Sequence, residues 1–173
     1  DKRGERDYEG FKKALTQIRY RDGILNGYTS RLHYFSDWIR NNEQMGFVRE
    51  CTSETACSQQ KELWLDFMTN HVDSYLPMKK DTFLVKEITL LEKEWQGVSV
   101  AYIPKEKLNL PSENLEIKNG DILVITTNLK GLDVVHVGFA FWKSGKLHLL
   151  HASSNANKVA EDPLSPYAYS NNK

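Results

Sequence analysis

A chain of 173 residues, 40% apolar and 11% aromatic, is long enough for one domain around a buried core. Lys and Arg balance Asp and Glu at 23 each for a net charge of +0, with no basic tract or arm, which argues against nucleic acid as partner. No apolar run approaches the ~20 residues of a membrane helix, and the first residues carry no signal-peptide pattern.

The chain opens at Asp1-Lys2-Arg3-Gly4 without a Met and closes on Ser170-Asn171-Asn172-Lys173, so 1–173 reads as a single domain and as a fragment cut at both ends. Asp7 is placed to cap a helix in which Tyr8, Phe11, Leu15 and Ile18 recur at three- and four-residue spacing, with Gly23 as its stop. Asp22-Gly23 and Asn26-Gly27 predict two turns in quick succession. Leu32, Phe35, Trp38 and Ile39 then form one helical stripe behind a Ser30 cap, ending before Gly46. Ser30, Arg31, His33 and Tyr34 would crowd the first turn of that helix, where unpaired N–H groups favour an anion. The plainer reading is a cap, a surface Arg and a packed histidine.

Cys51 and Cys57 sit in a polar segment and suit a local disulfide or two inert thiols. No second Cys or His pair at finger spacing supports zinc. Alternation from Lys61 to Met68 predicts a strand. His71 beside Asp73 fits a loop hydrogen bond better than catalysis. Asp81 or Thr82 caps a second amphipathic helix running to Trp95, with its Glu and Lys residues on a wet face and Gly97 as its stop. Val98 to Ile103 is strand-like. Lys118-Asn119-Gly120-Asp121 turns into a buried strand, Ile122 to Thr127, and Lys158-Val159-Ala160 suggests a last short strand before Pro163. Helices precede a meander of antiparallel strands, so the class is α+β.

The strongest local signal is His136 to Ser154, two β-rich runs around Ser144-Gly145. With those two residues as the turn, Lys143 faces Lys146, Trp142 faces Leu147, Gly138 faces His151 and His136 faces Ser153. Parity then puts His136, Gly138 and Ala140 on one face with Leu149, His151 and Ser153. The two histidines become diagonal neighbours about 7 Å apart at the backbone. Gly138 predicts an open space opposite His151, and His148 turns to the other face beside Phe141.

Such a pair fits an imidazole base oriented by a second polar group, and it needs a nucleophile or a metal to complete a site. A metal would want a further ligand, His33 or Asp133, and no HExxH-like spacing supports it. Neither a GxGxxG nor a GxxxxGK[ST] loop is present. Asp121 and Asp133 are the only candidates for a carboxylate-based glycan hydrolase.

Arg19-Tyr20-Arg21-Asp22-Gly23; Gly27-Tyr28-Thr29-Ser30-Arg31-Leu32-His33-Tyr34-Phe35-Ser36-Asp37-Trp38; Gly120-Asp121-Ile122; Gly131-Leu132-Asp133 followed by His136-Val137-Gly138; and Gly145-Lys146-Leu147 followed by His151-Ala152-Ser153-Ser154 together resemble the bacterial N-acetylmuramoyl-L-alanine amidase-like family. That family is related to the NlpC-type cell-wall cysteine peptidases. The resemblance implies a papain-like core, an antiparallel β-meander with helices packed on it, and a nucleophile helix N-terminal to the residues given. It implies His136 as base and His151 as its orienting residue, acting on a cysteine that lies upstream of the first helix here, so that this fragment by itself would be inactive. Ser30, Arg31 and His33, with Asp133, would line the substrate groove, Arg31 meeting a peptide carboxylate. The implied substrates are muropeptides or other peptidoglycan fragments, in the periplasm or outside the cell, with no cofactor. The competing reading is an inactive relative that binds cell-wall glycan or peptide.

Overall fold

Asp7 accepts a hydrogen bond from the Gly10 N–H at 2.7 Å and opens helix α1, Tyr8–Arg19, as its capping position predicts. The computed structural model describes residues 7–110 and 112–165. These fall into two compact units, one holding the chain up to Glu50 together with Trp64–Gln96, the other Cys51–Leu63 together with the chain from Gly97 on. The expectations for Asp1 to Gly4 and for the tail from Tyr167 to Lys173 lie outside the described residues.

In the first unit α1 stops at Arg19, short of Gly23. Tyr20 forms an isolated antiparallel bridge with Arg31, and Arg21 N–H donates to the Ser30 carbonyl at 2.7 Å. This pairing draws the backbone out of the helix, and Arg21–Gly23 become a single 3₁₀ turn with Asp22 at φ 53° and Gly23 at φ 72°. The apolar stripe of α1 stays largely outside the core, Phe11 being 59% exposed. The helix end is instead held by Asn42, whose Nδ2 donates to the Ile18 carbonyl at 3.0 Å.

Helix α2 spans Phe35–Gln44 and starts after Tyr34, so Ser30 is not its cap. Ser30 Oγ accepts from Asn26 N–H and donates to the Gly27 carbonyl, both at 2.9 Å, closing the loop ahead of the helix. The buried face of α2 is polar: Asp37, Asn41 and Asn42. Arg21 and Arg40 donate to Asp37 at 2.5 and 3.0 Å, and Asn41 accepts from Asp22 N–H at 3.1 Å. Periodicity of apolar residues cannot register such a face, because each of these three residues takes a hydrogen-bond partner distant in sequence.

Strand β1, Gln59–Leu63, ends five residues before the predicted Met68. Its partner β2, Val98–Tyr102, begins opposite Leu63, so the ladder has nothing further to bond. The chain turns instead into a helical turn, α3, Phe67–Asn70, whose Met68 and Thr69 N–H groups donate to the Glu92 side chain. Helix α4, Leu76–Lys80, precedes α5, Thr82–Lys93, which Asp81 caps through Phe83 N–H at 2.8 Å. Glu92 is no part of a wet face: it is 2% exposed at the inner side of α5. His71 Nδ1 hydrogen-bonds the Phe67 carbonyl at 2.7 Å, the local role its sequence context suggests.

In the second unit β1 and β2 form their own two-stranded sheet. A four-stranded antiparallel meander follows: β3 Ile122–Thr126, β4 Val134–Lys143, β5 Lys146–Ser153 and β6 Lys158–Pro163. The last strand is longer than the Lys158 to Ala160 segment its sequence suggests. Ala140, Leu147, Leu149 and Leu164 form the buried cluster, with Leu123, Ile125 and Trp142 packed against it. The opposite face leaves Val137, Phe139 and Phe141 exposed. Mixed α+β with antiparallel sheets is the architecture. No disulfide joins Cys51 and Cys57, and no helix among the described residues is long and apolar enough to cross a membrane.

Candidate active site

Ser144 at φ 49° and Gly145 at φ 73° are both left-handed, which makes the β4–β5 connection a two-residue turn of the twist that hairpins favour. The ladder runs from Lys143↔Lys146 to Phe139↔Leu150, the predicted register. Its continuation sets His136 diagonal to His151, and the rings meet edge to face with Nε2 of His136 2.7 Å from Nδ1 of His151. His148 pairs with Phe141 on the other face, its Nδ1 3.1 Å from Glu161.

The open space expected opposite His151 does not exist. A Cβ built on Gly138 would lie 2.7 Å from Leu149 Cδ1 and 2.8 Å from the Leu150 carbonyl oxygen. Leu149 leans diagonally across the glycine and fills the gap with core packing. Gly138 therefore serves close packing under the histidine pair. Gly138→Ala is expected to destabilise the protein by about 2 kcal/mol, since a backbone carbonyl must give way. Calorimetry should show Tm lower by roughly 4–8 °C.

The sequence reading missed Asp162. Strand β6 pairs His151 with Ala160 and Leu149 with Asp162, so Asp162 stands diagonal to His151 on the same face. His151 Nε2 lies 2.9 Å from Asp162 Oδ2. A signal was available: the loop from Ser154 to Asn157 pairs Ser153 with Lys158, and counting on from there brings Asp162 to His151.

His151 is nearly enclosed, its side chain 1% exposed. Burial first, and then the neighbouring His151, hold the His136 pKa below the ordinary histidine value of 6.5. His33 is likewise lowered, by burial first, although its Nε2 hydrogen-bonds the Tyr28 carbonyl at 3.0 Å. A histidine whose folded pKa is depressed binds fewer protons in the native state than in the unfolded one between the depressed value and 6.5. Stability therefore rises with pH through that window and levels off above it. Scanning Tm from about pH 5 to about pH 8 should show loss on the acid side, and His33→Asn should flatten part of the slope.

The other predicted site residues are placed as follows. Ser30 closes its loop, and Arg31 is exposed beside the Tyr20 bridge. His33 lies against the Tyr28 ring at 4.5 Å. All three belong to the first unit, whereas His136, His151, Asp162 and Asp133 belong to the second. Asp133 is buried at the start of β4, its Oδ1 accepting from Val134 N–H at 2.8 Å. Asp121 sits beside Ala140, whose N–H donates to its carbonyl. Along β4 that point is about 24 Å from Asp133 at the rise of an antiparallel strand. Paired glycosidase carboxylates stand roughly 5 to 9.5 Å apart, so these two cannot form such a pair. Cys57 Sγ contacts Thr55 Oγ1 and the Asn114 carbonyl, at 3.8 and 3.6 Å, and not a histidine. Among the described residues no three His, Cys, Asp or Glu side chains converge as metal ligands.

The model of the N-acetylmuramoyl-L-alanine amidase-like family matches residues 2–173. The chain belongs to that family. Among solved structures, this amidase-like chain is similar to an N-acetylmuramoyl-L-alanine amidase from Bacteroides uniformis, at 40% identity and TM-score 0.91 over 99% of this chain and 73% of that one. A Bacteroides fragilis protein provisionally named a xylanase matches at 42% identity and TM-score 0.87, over 94% of this chain and 71% of that one. A Legionella pneumophila protein matches at 25% identity and TM-score 0.65, over 95% of this chain and 64% of that one. No curated protein matches the sequence.

Proposed function

We propose that the protein hydrolyses an amide bond of peptidoglycan fragments, with His136 as the general base and His151 as the group that orients it. The observation that carries this reading is the 2.7 Å contact between the two rings, on neighbouring strands of a chain in an amidase-like family. A lowered pKa keeps His136 neutral near pH 7, the state in which imidazole takes up a proton. The nucleophile in this reading is a cysteine thiolate N-terminal to residue 1, on a helix of a papain-like core, and residues 1–173 without it are inactive. The thiolate attacks the carbonyl, an acyl-enzyme forms as the amine leaves, and water assisted by His136 releases the acid. Ser30, Arg31, His33 and Asp133 are assigned to substrate binding, Arg31 through a peptide carboxylate. The site of action is outside the cytoplasm, where peptidoglycan lies.

The test is to incubate the full-length protein with muropeptides and follow cleavage by mass. Release of a free peptide or amine with gain of one water supports the reading. The name of the Bacteroides fragilis relative makes xylan the control substrate. Shortened xylan with intact muropeptides would overturn the assignment.

A further inference from the structure

We propose that Asp162 is a positioning residue that fixes the tautomers of both histidines and thereby makes Nδ1 of His136 the nitrogen that accepts the proton. The inference rests on the hydrolase reading for its catalytic consequence, though its structural content stands independently.

The argument begins in the sheet. His136, His151 and Asp162 occupy three consecutive strands, each stepping diagonally to the next on the face that carries Ala140, Leu147 and Leu149. The contacts run His136 Nε2 to His151 Nδ1 at 2.7 Å and His151 Nε2 to Asp162 Oδ2 at 2.9 Å. A carboxylate accepts hydrogen bonds and cannot donate them, so His151 places its hydrogen on Nε2. Neutral His151 then offers a lone pair at Nδ1, and the contact with His136 requires a hydrogen on His136 Nε2. The remaining lone pair of His136 is at Nδ1. With both rings neutral, no other assignment satisfies both contacts.

Asp162 thus acts at one remove. Its side chain is 45% exposed at the edge strand, while the imidazole it meets is 1% exposed. It supplies the acceptor that the enclosed His151 N–H needs, and a negative charge at the far end of the relay. In the acylation step the thiol proton moves to His136 Nδ1, the S–C bond forms, the C–N bond breaks, and the same proton leaves on the departing amine nitrogen. While His136 carries the extra proton, its Nε2–H stays bonded to His151, and the Asp162 charge stabilises the imidazolium through that ring.

The experiment uses the full-length protein with ¹⁵N-labelled histidine. Long-range ¹H–¹⁵N spectra at about pH 7 report which ring nitrogen is protonated. Wild type should show Nε2–H and unprotonated Nδ1 for both residues. Asp162→Ala should mix the tautomers of His151 and lower kcat by about 10-fold with KM unchanged. Asp162→Asn, which keeps an acceptor oxygen, should retain the tautomer and recover much of kcat. A wild-type spectrum with Nδ1–H or a doubly protonated His151, or Asp162→Ala with unchanged tautomers and kcat, overturns the proposal. The wild-type spectrum needs no variant to fold. A wild type that leaves muropeptides intact would sink the hydrolase reading alone, because the spectra decide the relay without turnover.

Discussion

His136→Ala in the full-length protein is expected to lower kcat/KM on muropeptides by about a thousandfold, within the span of a lost general base. In the proposed mechanism this ring takes up the proton and later returns it, and alanine removes both the acceptor and the later donor. The loss should fall in kcat if, as proposed, the substituted group acts on the reacting atoms more than on ground-state binding. His151→Ala should cost less, about 10- to 100-fold, because the base remains but its ring is free to turn. Mass analysis of timed muropeptide digests measures both. Wild-type rates in the His136→Ala protein would remove His136 from the mechanism. Tm should be recorded alongside, because His136 is only partly buried and its removal should leave the fold intact.

Glu92→Leu is the substitution with the largest expected effect on stability. Glu92 Oε1 accepts from Tyr34 Oη at 2.6 Å, Met68 N–H at 3.1 Å and Thr69 N–H at 3.2 Å, and Oε2 accepts from Thr69 Oγ1 at 2.5 Å. Burial, reinforced by the bond to Glu92, pushes the Tyr34 pKa well above the ordinary tyrosine value. Leucine fills similar space and removes the acceptor of the Tyr34 hydroxyl and of Thr69 N–H in a dry interior, while Met68 N–H keeps Tyr34 Oη at 3.0 Å and the Thr69 hydroxyl keeps the Asp66 carbonyl at 3.3 Å. Buried donors without acceptors cost about 1–3 kcal/mol each, partly recovered by relaxation, so a net loss of about 3–5 kcal/mol is expected. For a protein of this size that is a fall in Tm of roughly 6–20 °C. Glu92→Gln keeps a carbonyl for the three donors on Oε1, and the Thr69 hydroxyl can rotate to accept from the new amide. Its cost should be about 1–2 kcal/mol. A Leu variant as stable as the Gln variant would show that the donors find other partners. Glu92 matters to the first unit as a whole, since it ties α5 to α3 and to Tyr34, the residue just before α2.

The two variants probe parts of the molecule that differ in how far the sequence reveals them. The hairpin was readable because Ser144-Gly145 fixes a two-residue turn, and a two-residue turn fixes every pairing behind it. From that register alone His136 and His151 become neighbours, with His148 excluded. The helix starts at Asp7 and Asp81 were readable because capping is local chemistry, one side chain against a backbone N–H two or three residues on. Where the pattern misleads, a partner distant in sequence intervenes. Alternation continues past Leu63, yet β2 offers no ladder there and Glu92 draws Met68 and Thr69 into a turn. Gly138 reads as a gap because the hairpin pairing does not reveal that Leu149 leans across it.

The sequence by itself determined the α+β class, the hairpin register and the histidine pair, all consequences of contacts between residues close along the chain. Tertiary structure alone decided that α2 buries a polar face, that Glu92 is an internal acceptor and that Asp162 completes the line of contacts behind His136. The physical reason is common to the three. A buried polar group is tolerable only when its partners arrive from elsewhere in the fold, and a side chain's own sequence neighbourhood does not say whether they will.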